Sequence, residues 1–459
     1  MVNMDLEALR LEDSKVLVAG AGVSGIAATE LLLDKGIDVM LYDGKADLDV
    51  EALYARTPRL RDVPLLLGDL TEEQLRGFGV AVLSPGIPTD LPVVERMRAC
   101  GLAIWGEIEL AYYFARGRLA AITGTNGKTT TTALTGEIMR MHFRDVRVVG
   151  NIGIPYTQEA GHMTDETVTV AEISSFQLET IHAFHPQTAA ILNITPDHLN
   201  RHHSMENYIA AKEDIVRNHT KEDVVVLNYE DEVLREFGES LDCKVVYFSS
   251  ARILDNGYYL DGEEIYRAKE GSRELLVNIH EVQILGVHNY ENIMAASAIA
   301  ESFGVEIEEI RQALRSFTAV EHRIEFTVER DGVRYYNDSK ATNTDAAIKG
   351  ICAMNRPTYL IGGGYDKQSE YDDWIDSFGG KVKCLVLFGA TAGKIEECAH
   401  RHGFTDTVHV SDLKEAVAYC RAHAVDGDAV LLSPACASWD MFPNYEVRGR
   451  QFKELARTL

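Results

Sequence analysis

The chain has 459 residues, 46% hydrophobic and 25% charged, which at roughly 100–200 residues per domain predicts two to four globular domains. Its formal net charge of −26 argues against DNA, RNA and anionic membranes as partners. The cysteines are scattered without a C-x-x-C pair, which disfavours a zinc ribbon or redox motif and indicates reduced thiols. The amino-terminal segment lacks the pattern of a signal peptide, and no apolar run approaches the ~18 residues of a membrane helix. We expect a cytoplasmic monomer.

The first predicted unit is a βαβ arrangement. A strand over 15–19 meets a glycine turn, and a helix ending near Gly36 leads to a second strand that ends at Asp43. The turn reads GAGVSG over residues 20–25, a pattern typical of dinucleotide sites when an acidic residue follows the second strand. Alone it favours an NAD-dependent oxidoreductase. A βα turn that only needs small residues is the simpler alternative.

The second predicted unit opens with a strand at 119–123 and the loop GTNGKT at 124–129, followed by a helix. The loop is a shortened form of the phosphate loop G-x-x-x-x-G-K-[ST], with Ile122 at the position of the distant glycine. Free N–H groups at a helix amino terminus bind anions. Lys128 would place a charge at the β- and γ-phosphates, and Thr129 would reach Mg²⁺. A glycine-rich turn with an exposed lysine is the alternative.

The strands that follow carry further candidate ligands. Strand–helix alternation predicts a parallel sheet, and ligands bind at the carboxyl edge of such sheets. Glu172 in VAEISSFQLE and His198 in ILNITPDHLNRH are predicted at that edge, and each alone would be an ordinary surface side chain. Together with Lys128 and Thr129 they favour a nucleotide–Mg²⁺ site. Lys212 lies on a later predicted helix, and from the residues alone it is a solvated lysine.

The rest of the chain completes three α/β domains in series. Short β patterns over 241–285 predict a hairpin insertion in the second unit, and two amphipathic helices follow it. From near Glu321, strands again alternate with helices. We predict the domain boundaries at residues 1–106, 107–319 and 320–459.

A series of motifs occurs in one order along the chain. They read TGTNGKTTTT, GNIG, EISSFQLE, ILNITPDHLNRH, AAK, HNYEN, EHRIE, YNDSKATN and LLSPACASWDMFPNYEVRG. Together they resemble the Mur ligases of bacterial peptidoglycan synthesis over essentially the whole chain. The last two motifs are most similar to those of the member that adds D-glutamate to UDP-N-acetylmuramoyl-L-alanine.

The resemblance implies an ADP-forming ligase. ATP would phosphorylate the carboxylate of UDP-N-acetylmuramoyl-L-alanine, and the amine of D-glutamate would then displace phosphate. The implied fold has a Rossmann-like first domain for the UDP substrate, a central P-loop-type ATPase domain with a parallel sheet, and a Rossmann-like third domain for the amino acid. The implied cofactors are ATP and two Mg²⁺ ions, with a carbamate on Lys212 supporting the second ion.

The resemblance also implies the roles of individual residues. Those implied in catalysis are Lys128, His198 and Lys212. Those implied in ATP binding are Gly124, Thr125, Asn126, Gly127, Lys128, Thr129, Thr130, Asn289, Asn292, Arg323, Asp338 and Lys340. Those implied as metal ligands are Thr129, Glu172, His198 and Lys212. Those implied in UDP-substrate binding are Ser24, Asp43, Ser84, Pro85, Gly86, Asn151 and Gln177. Those implied in D-glutamate binding are Thr342, Lys367, Ser438 and Tyr445.

Two residues bear on the amino-acid pocket. Lys367 is a flexible point charge suited to a side-chain carboxylate. Tyr445 departs from the phenylalanine of the relatives, so its hydroxyl adds a hydrogen-bonding group to the pocket. The sequence contains no DNPR stretch, which marks the member that adds a diamino acid.

Three alternatives remain at this point. Within the ligases, they are a sister Mur ligase that adds another amino acid and a folylpolyglutamate-type ligase. In a different class, the alternative is an NAD-dependent oxidoreductase that uses the first glycine turn. An oxidoreductase has no need of Lys128, Glu172 and His198, so these residues favour the ligase.

Overall fold

The computed structural model describes Leu11 and residues 14–151, 153–318 and 320–459. Among them, no helix is both long and apolar enough to cross a membrane. These residues form two compact units. The first unit comprises the described residues up to Asp261 together with Tyr266–Glu274 and Glu291–Arg311. The second unit comprises Gly262–Ile265, Leu275–Tyr290 and Gln312–Leu459.

The chain begins with a five-stranded parallel sheet. Its elements are β1 (Lys15–Ala19), α1 (Val23–Asp34), β2 (Val39–Asp43), α2 (Val50–Arg56), β3 (Leu65–Leu67), α3 (Glu72–Leu75), β4 (Phe78–Leu83), α4 (Pro92–Ala99) and β5 (Ala103–Gly106). The strand order is β3-β2-β1-β4-β5, and every adjacent pair is parallel. A side chain at Gly25 would place its Cβ 1.8 Å from the carbonyl oxygen of Gly20, so the first turn of α1 packs directly on the preceding strand end. The predicted βαβ unit is confirmed.

A nine-stranded sheet follows. Its elements are α5 (Glu107–Phe114), β6 (Arg118–Thr123), α6 (Lys128–His142), β7 (Val146–Gly150), α7 (Tyr156–Ala160), β8 (Val168–Glu172), α8 (Ser175–Leu178), β9 (Thr188–Ile191), α9 (Leu199–His202), α10 (Met205–Glu213), β10 (Val224–Asn228), α11 (Glu232–Glu239), β11 (Lys244–Ser249), β12 (Gly257–Asp261), β13 (Glu264–Lys269), β14 (Ser272–Asn278), α12 (Val287–Ser302) and α13 (Ile307–Ser316). The strand order is β14-β13-β12-β11-β10-β9-β6-β8-β7. In this spatial order, every neighbouring pair between β12 and β7 is parallel.

The prediction of a hairpin insertion over 241–285 is wrong in one respect. β11 pairs in parallel with β10, and β12 pairs in parallel with β11. This segment therefore continues the central sheet, since its first two strands extend the parallel ladder. Alternating apolar residues indicated strands there, but they carry no information about which neighbour each strand pairs with.

The third sheet is mixed. Its elements are β15 (Glu325–Arg330), β16 (Val333–Asn337), α14 (Thr344–Ala353), β17 (Thr358–Gly362), α15 (Asp372–Asp376), β18 (Val382–Leu387), α16 (Ala392–Arg401), β19 (Thr407–His409), α17 (Leu413–His423), β20 (Ala429–Leu432) and α18 (Tyr445–Thr458). The strand order is β15-β16-β20-β17-β18-β19. Only the β15–β16 pair is antiparallel among these described strands. Two apolar clusters, each covered by helices, form its core.

Two buried carboxylates fasten α5 to the central part of the first unit. Glu107 accepts hydrogen bonds from the backbone N–H and the hydroxyl of Thr157, both at 2.7 Å. Glu109 accepts from three successive backbone N–H groups, at residues 182–184. Burial raises the pKa of Glu107. Because buried carboxylates need such donors, these contacts fix the position of α5.

A polar cluster joins the turn after β4 to helix α9. Arg201 pairs with Glu179 at 2.7 Å and donates to the carbonyl oxygen of Ile87 at 3.1 Å. Thr89 donates to the same Glu179 carboxylate at 3.3 Å. Arg201 and Glu179 are largely buried, so screening by solvent is weak and the turn is held against the central sheet.

Candidate active site

The shortened loop connects β6 to the amino terminus of α6. Gly127 caps the helix with φ of 86°, in the left-handed region that glycine adopts without strain. A hydrogen-bond pair fixes the loop: the Asn126 N–H donates to Oδ1 of Asn193, and the Asn193 side chain donates to the Asn126 carbonyl oxygen. Thr129 and Thr130 lie in the first turn of the helix and are largely buried. The loop is thus held open as a cradle of N–H groups at a helix amino terminus, which is an anion-binding arrangement.

Two lysines converge on one carbonyl of this loop. Nζ of Lys128 donates to the carbonyl oxygen of Gly124 at 2.8 Å and to that of Thr125 at 3.0 Å. Nζ of Lys212 reaches the same Gly124 oxygen at 2.9 Å, from helix α10. From the residues alone we predicted that Lys212 is solvated. That prediction is wrong, because the side chain is only 2% exposed.

Burial changes the acid–base chemistry of Lys212. Desolvation, with the neighbouring charge of Lys128 as a second cause, lowers its pKa to about 7. Its Nζ also lies 4.7 Å from the centroid of the Tyr208 ring, one helical turn earlier in α10. The Tyr208 hydroxyl is 3.0 Å from the hydroxyl of Thr125, so the tyrosine ties α10 to the phosphate loop. A large fraction of Lys212 is therefore a neutral amine near pH 7.

Glu172 ends β8, as predicted. It is buried, and one carboxylate oxygen accepts from the Asn151 side chain at 2.8 Å. Its other oxygen, Oε2, has no hydrogen-bond partner among the described residues. An unpaired buried oxygen is costly, and a cation would satisfy it. Asn151, which the resemblance implies in UDP-substrate binding, is thus held beside this carboxylate.

His198 lies further from its strand than predicted. β9 ends at Ile191, and His198 is the residue preceding α9, in the left-handed conformation with φ of 52°. Its side chain is half-exposed, with Nε2 3.4 Å from Asp197. Burial lowers the pKa of His202, and the charges of His198 and Lys212 lower it further. His198 and Lys212 therefore both lie near His202.

The glycine turn of the first sheet is closed by Asp43. Its carboxylate accepts from the Ala21 N–H at 2.8 Å and from the Lys45 N–H at 2.9 Å. The hydroxyl of Ser84 lies 3.5 Å from the carbonyl oxygen of Gly20, so the turns after β1 and β4 meet. A small cavity beside them is lined by further predicted residues, namely Ser84, Pro85 and Gln177. Ser24, in the first turn of α1, is partly buried, and Gly86 is exposed.

In the second unit, a buried acid faces an arginine. Asp338 follows β16, and its carboxylate accepts from the Ser433 hydroxyl at 2.7 Å and the Ile324 N–H at 3.3 Å. Burial raises the pKa of Asp338 to about 7, against the opposing charge of Arg323. The residues flanking Arg323 both have positive φ, 68° for His322 and 45° for Ile324. This unusual backbone fixes the direction of the arginine, whose Nε has no partner among the described residues.

The loop after β16 is held by a buried arginine that sequence reasoning did not select. Arg448 on α18 is fully buried and donates to the hydroxyl and carbonyl oxygens of Ser339, at 3.0 and 2.8 Å. Ser339 in turn donates to the carbonyl oxygen of Tyr445 at 2.8 Å. Nζ of Lys340 lies 5.7 Å from the Tyr445 ring centroid, and Thr342 follows, partly buried. Arg448 stands within the quoted carboxyl-terminal motif, which was the available signal.

Lys367 and Ser438 occupy adjoining segments of the second unit. Tyr365 forms an antiparallel bridge with Ala437, which sets the two segments side by side. Lys367 is exposed, and its Nζ lies 4.9 Å from the centroid of the Trp439 ring. Ser438 is buried. Trp439 is 63% exposed. It adds an aromatic surface beside the residues predicted to bind the amino acid, and the sequence analysis did not select it.

Helix α12 carries the two asparagines of HNYEN. The Asn292 oxygen Oδ1 accepts from the Thr131 hydroxyl at 3.1 Å, which joins this helix to α6. A Cβ at Gly127 would lie 2.4 Å from the same atom. Asn289 donates to the carbonyl oxygen of Leu285 at 2.7 Å. His288 beside it was not predicted, and burial, with the charges of Lys349 and Arg323, lowers its pKa to about 4.

Three protein-family models match the chain in succession. They are the MurD-like N-terminal domain of Mur ligases over residues 14–106, the Mur ligase middle domain over 122–300, and the glutamate ligase domain of Mur ligases over 322–436. A UDP-N-acetylmuramoylalanine–D-glutamate ligase of Lachnoclostridium phytofermentans is 51% identical over 445 residues, which cover 97% of this chain and 98% of that protein. The chain belongs to the Mur ligase family. An enzyme of the same name from Lachnospira eligens is 48% identical over 450 residues, which cover 98% of this Mur ligase and 100% of that enzyme.

Solved structures agree with this fold. The UDP-N-acetylmuramate–alanine ligase MurC of Thermotoga maritima superposes with a TM-score of 0.60 at 20% identity, over 97% of this chain and 99% of that one. MurF of Thermotoga maritima, solved in complex with ADP, gives a TM-score of 0.54 at 16% identity, over 84% and 96%. The predicted three-domain α/β architecture of this Mur ligase is confirmed, and the family uses ATP. The oxidoreductase alternative is wrong, since the glycine turn belongs to a Mur ligase.

Proposed function

We propose that this Mur ligase joins D-glutamate to UDP-N-acetylmuramoyl-L-alanine, converting ATP to ADP and phosphate. The names of the relatives at 43–51% identity support this substrate pair. The structural observation that carries the proposal is the convergence of Lys128 and Lys212 on the phosphate-loop carbonyl of Gly124. A reaction that transfers a phosphoryl group to a carboxylate needs a fixed cation such as Lys128 beside a helix amino terminus, and Lys212 is held at the same place.

In the first step, an oxygen of the substrate carboxylate attacks the γ-phosphorus of ATP. The bond from that phosphorus to the β,γ-bridging oxygen breaks, and ADP leaves with the electron pair. Lys128 would neutralise charge that develops on the γ-phosphoryl and the leaving oxygen, while the N–H groups of residues 124–130 hold the phosphates. We propose that ATP has further contacts, with Asn289, Asn292, Arg323, Asp338 and Lys340.

The donor set of the loop region fits Mg²⁺. The unpaired, buried Oε2 of Glu172 is an oxygen that a hard cation would satisfy. We propose that Thr129, Glu172, His198 and a carbamate on Lys212 hold two ions. Bound Mg²⁺ would supply positive charge beside the transferring phosphoryl group.

The environment of Lys212 favours a carbamate. The neutral amine attacks the carbon of CO₂, a C–N bond forms, and the nitrogen releases one proton to solvent. Only the neutral amine has the required lone pair, and a pKa lowered to about 7 makes it abundant at neutral pH. The product would carry a negative charge beside Lys128, which exchanges a repulsive pair of cations for an attractive pair.

In the second step, the amine of D-glutamate attacks the acyl phosphate carbon. The C–N bond forms, the bond from the acyl carbon to the phosphate oxygen breaks, phosphate leaves, and the nitrogen loses a proton to give the amide. We propose that Lys367 pairs with the γ-carboxylate, and that Thr342, Ser438 and Tyr445 complete the amino-acid site. Lys367 is exposed beside Trp439, so it can reach an incoming carboxylate.

The first sheet would hold the UDP part of the substrate. We propose contacts from Ser24, Asp43, Ser84, Pro85 and Gly86, with Gln177 and Asn151 further toward the muramoyl end. The meeting of the turns after β1 and β4 supports this, because both lie at strand carboxyl ends of a parallel sheet.

We also propose the domain limits 1–106, 107–319 and 320–459, of which residues 1 and 319 lie outside the described residues. The gaps between successive family models, 106–122 and 300–322, include or adjoin these limits. We further propose that the protein is cytoplasmic, and that it is a monomer, since every substrate contact proposed above comes from one chain.

Phosphate release tests the proposal. The chain is mixed with ATP, Mg²⁺ and UDP-N-acetylmuramoyl-L-alanine, and single amino acids are compared. We expect release that requires D-glutamate and a product heavier by one glutamyl residue. Release with another amino acid would keep the ligase chemistry and overturn the assignments of Lys367 and Ser438.

A further inference from the structure

A cavity of about 960 Å³ lies at the end of the central sheet opposite to the phosphate loop. Arg118 and Leu119, which begin β6, line it, and so does Gln187, which precedes β9. The phosphate loop follows the other end of β6. This strand has 6 residues, and at about 3.3 Å per residue it separates the two places by roughly 20 Å. None of the residues proposed for ATP, the UDP substrate or D-glutamate lines the cavity.

The walls of the cavity are aromatic on one side. Trp105, Tyr112 and Tyr113 come from β5 and α5 and line it together. The rings of Trp105 and Tyr113 are 5.7 Å apart between centroids, and the Tyr113 side chain is 39% exposed. The volume lies within the range of about 300–1,000 Å³ that small-molecule sites occupy. These walls suit a planar ring.

The charge available in the cavity is positive. Of its three arginines, Arg118 stacks between the rings of Phe143 and Phe303, and Arg217 pairs with Asp214. Arg116 is exposed and has no hydrogen bond or ion pair anywhere in the part of the chain that the structure describes.

Glu109 is the one carboxylate among the described lining residues. Both oxygens of Glu109 are already occupied by the backbone N–H groups of residues 182–184. A local cation is notable in a chain of net charge −26, whose overall field repels anions.

We propose that this cavity is a second ligand site, which takes a planar aromatic anion of the aryl phosphate class. The ring packs against Tyr113, and the anionic group pairs with the guanidinium of Arg116. The guanidinium suits a phosphate because it donates two parallel hydrogen bonds to it. The site is separate from the ligase reaction, so its occupant is a further ligand of the enzyme.

Titration with 1-naphthyl phosphate tests the site. ADP with Mg²⁺ and UDP are present at saturating concentrations, so that the two proposed nucleotide sites are filled. We expect one saturable site by calorimetry. Arg116→Ala should weaken binding by roughly tenfold or more, because a charge-assisted hydrogen bond is lost. Arg144→Ala, which removes an exposed arginine of the same unit outside the cavity, should leave the affinity unchanged.

A second comparison separates the ring from the charge. Tyr113→Ala should weaken binding of both 1-naphthyl phosphate and neutral 1-naphthol, whereas Arg116→Ala should affect only the phosphate. Both variants should keep the far-ultraviolet circular dichroism and the ATP-dependent turnover of the parent chain. Absence of saturable binding, displacement of the probe by ADP or UDP, or equal affinity in the parent and Arg116→Ala would each overturn the proposal.

Discussion

Lys212 beside the phosphate loop and Asp338 after β16 are both buried, and burial moves their pKa values in opposite directions. Lys212 is a base whose pKa falls from 10.5 to about 7, and Asp338 is an acid whose pKa rises from 3.8 to about 7. The two differ in their partners. Lys212 donates to a carbonyl and is repelled by Lys128, whereas Asp338 accepts from Ser433 and a backbone N–H. Desolvation therefore dominates both sites, and the neighbours only adjust it.

The largest expected effect is an opposite dependence of stability on pH. Between about pH 4 and 7 the folded chain keeps a proton on Asp338 that the unfolded chain has lost, so this residue's contribution to stability falls as the pH rises. Between about pH 7 and 10.5 the unfolded chain binds a proton at Lys212 that the folded chain lacks, so that contribution rises with pH. Each change is at most about 5 kcal/mol, since one pKa unit corresponds to about 1.4 kcal/mol.

Urea unfolding of the parent chain, Asp338→Asn and Lys212→Met in carbonate-free buffer measures these contributions. The free energy of unfolding of Asp338→Asn should rise relative to that of the parent from pH 5 to 7. The free energy of unfolding of Lys212→Met should fall relative to that of the parent from pH 7 to 10. Parallel profiles for all three proteins would mean that neither group is titrated by folding.

Removing Lys128 should have the next largest effect. Lys128→Ala should lower ATP-dependent turnover by roughly 10²–10³-fold, because a fixed charge beside the transferring phosphoryl group is lost. Binding of the UDP substrate should persist. The variant should also raise the pKa of Lys212, since the charge of Lys128 helps to lower it. Lys221→Ala, at an exposed lysine of the same unit, is the control and should retain full turnover.

Lys212 should prove essential in a way that chemistry can reverse. Lys212→Ala should lower turnover by about 100-fold, and short-chain carboxylic acids added to the assay should restore part of it by replacing the carbamate. Steady-state rates with and without added acetate or propionate measure this. Turnover equal to that of the parent would return Lys212 to a purely structural role.

The second unit offers an exposed lysine for contrast. Lys367→Ala should raise the KM for D-glutamate by roughly tenfold with little change in kcat, because a solvated charge contributes mainly to substrate binding. Lys367→Arg should recover part of the affinity. Lys414→Ala, at another exposed lysine of this unit, should leave both constants unchanged. A fall in kcat alone would place Lys367 in the chemical step.

The smallest effect is expected at Tyr445. Tyr445→Phe should change the KM for D-glutamate by about threefold or less, because the hydroxyl interacts with the neighbouring Glu446 and the variant keeps the ring. Kinetics over a range of D-glutamate concentrations would show it. A change above tenfold would mean that the hydroxyl contacts the amino acid directly.

The sequence was most informative where a local motif determines the geometry. The loop at Gly124–Thr129 and the strand-end position of Glu172 follow from short patterns of strand, turn and helix. The burial of Lys212 could not be predicted in this way, because it depends on α10 packing against the phosphate loop. The spacing of Tyr208 and Lys212 by four residues was the one local signal that they share a helix face.

Longer-range features were less accessible. His198 was expected at a strand end, but the chain leaves β9 at Ile191 and reaches His198 through a further loop. The strands after residue 241 were recognised, yet their addition to the central sheet depends on pairing that no local pattern encodes. Arg448 was overlooked because a fully buried arginine cannot be distinguished by sequence from an exposed one on an amphipathic helix.

The bonds of Arg201 and Glu179 to the turn after β4 bear on inhibitor design. They hold the two proposed nucleotide-binding regions of the first unit at a fixed spacing. A bisubstrate compound that joins a uridine group to a phosphate mimic therefore meets a rigid target, and its affinity depends sharply on the length of its linker. A linker matched to that spacing gains the full benefit of effective concentration, whereas one that is too short gains none.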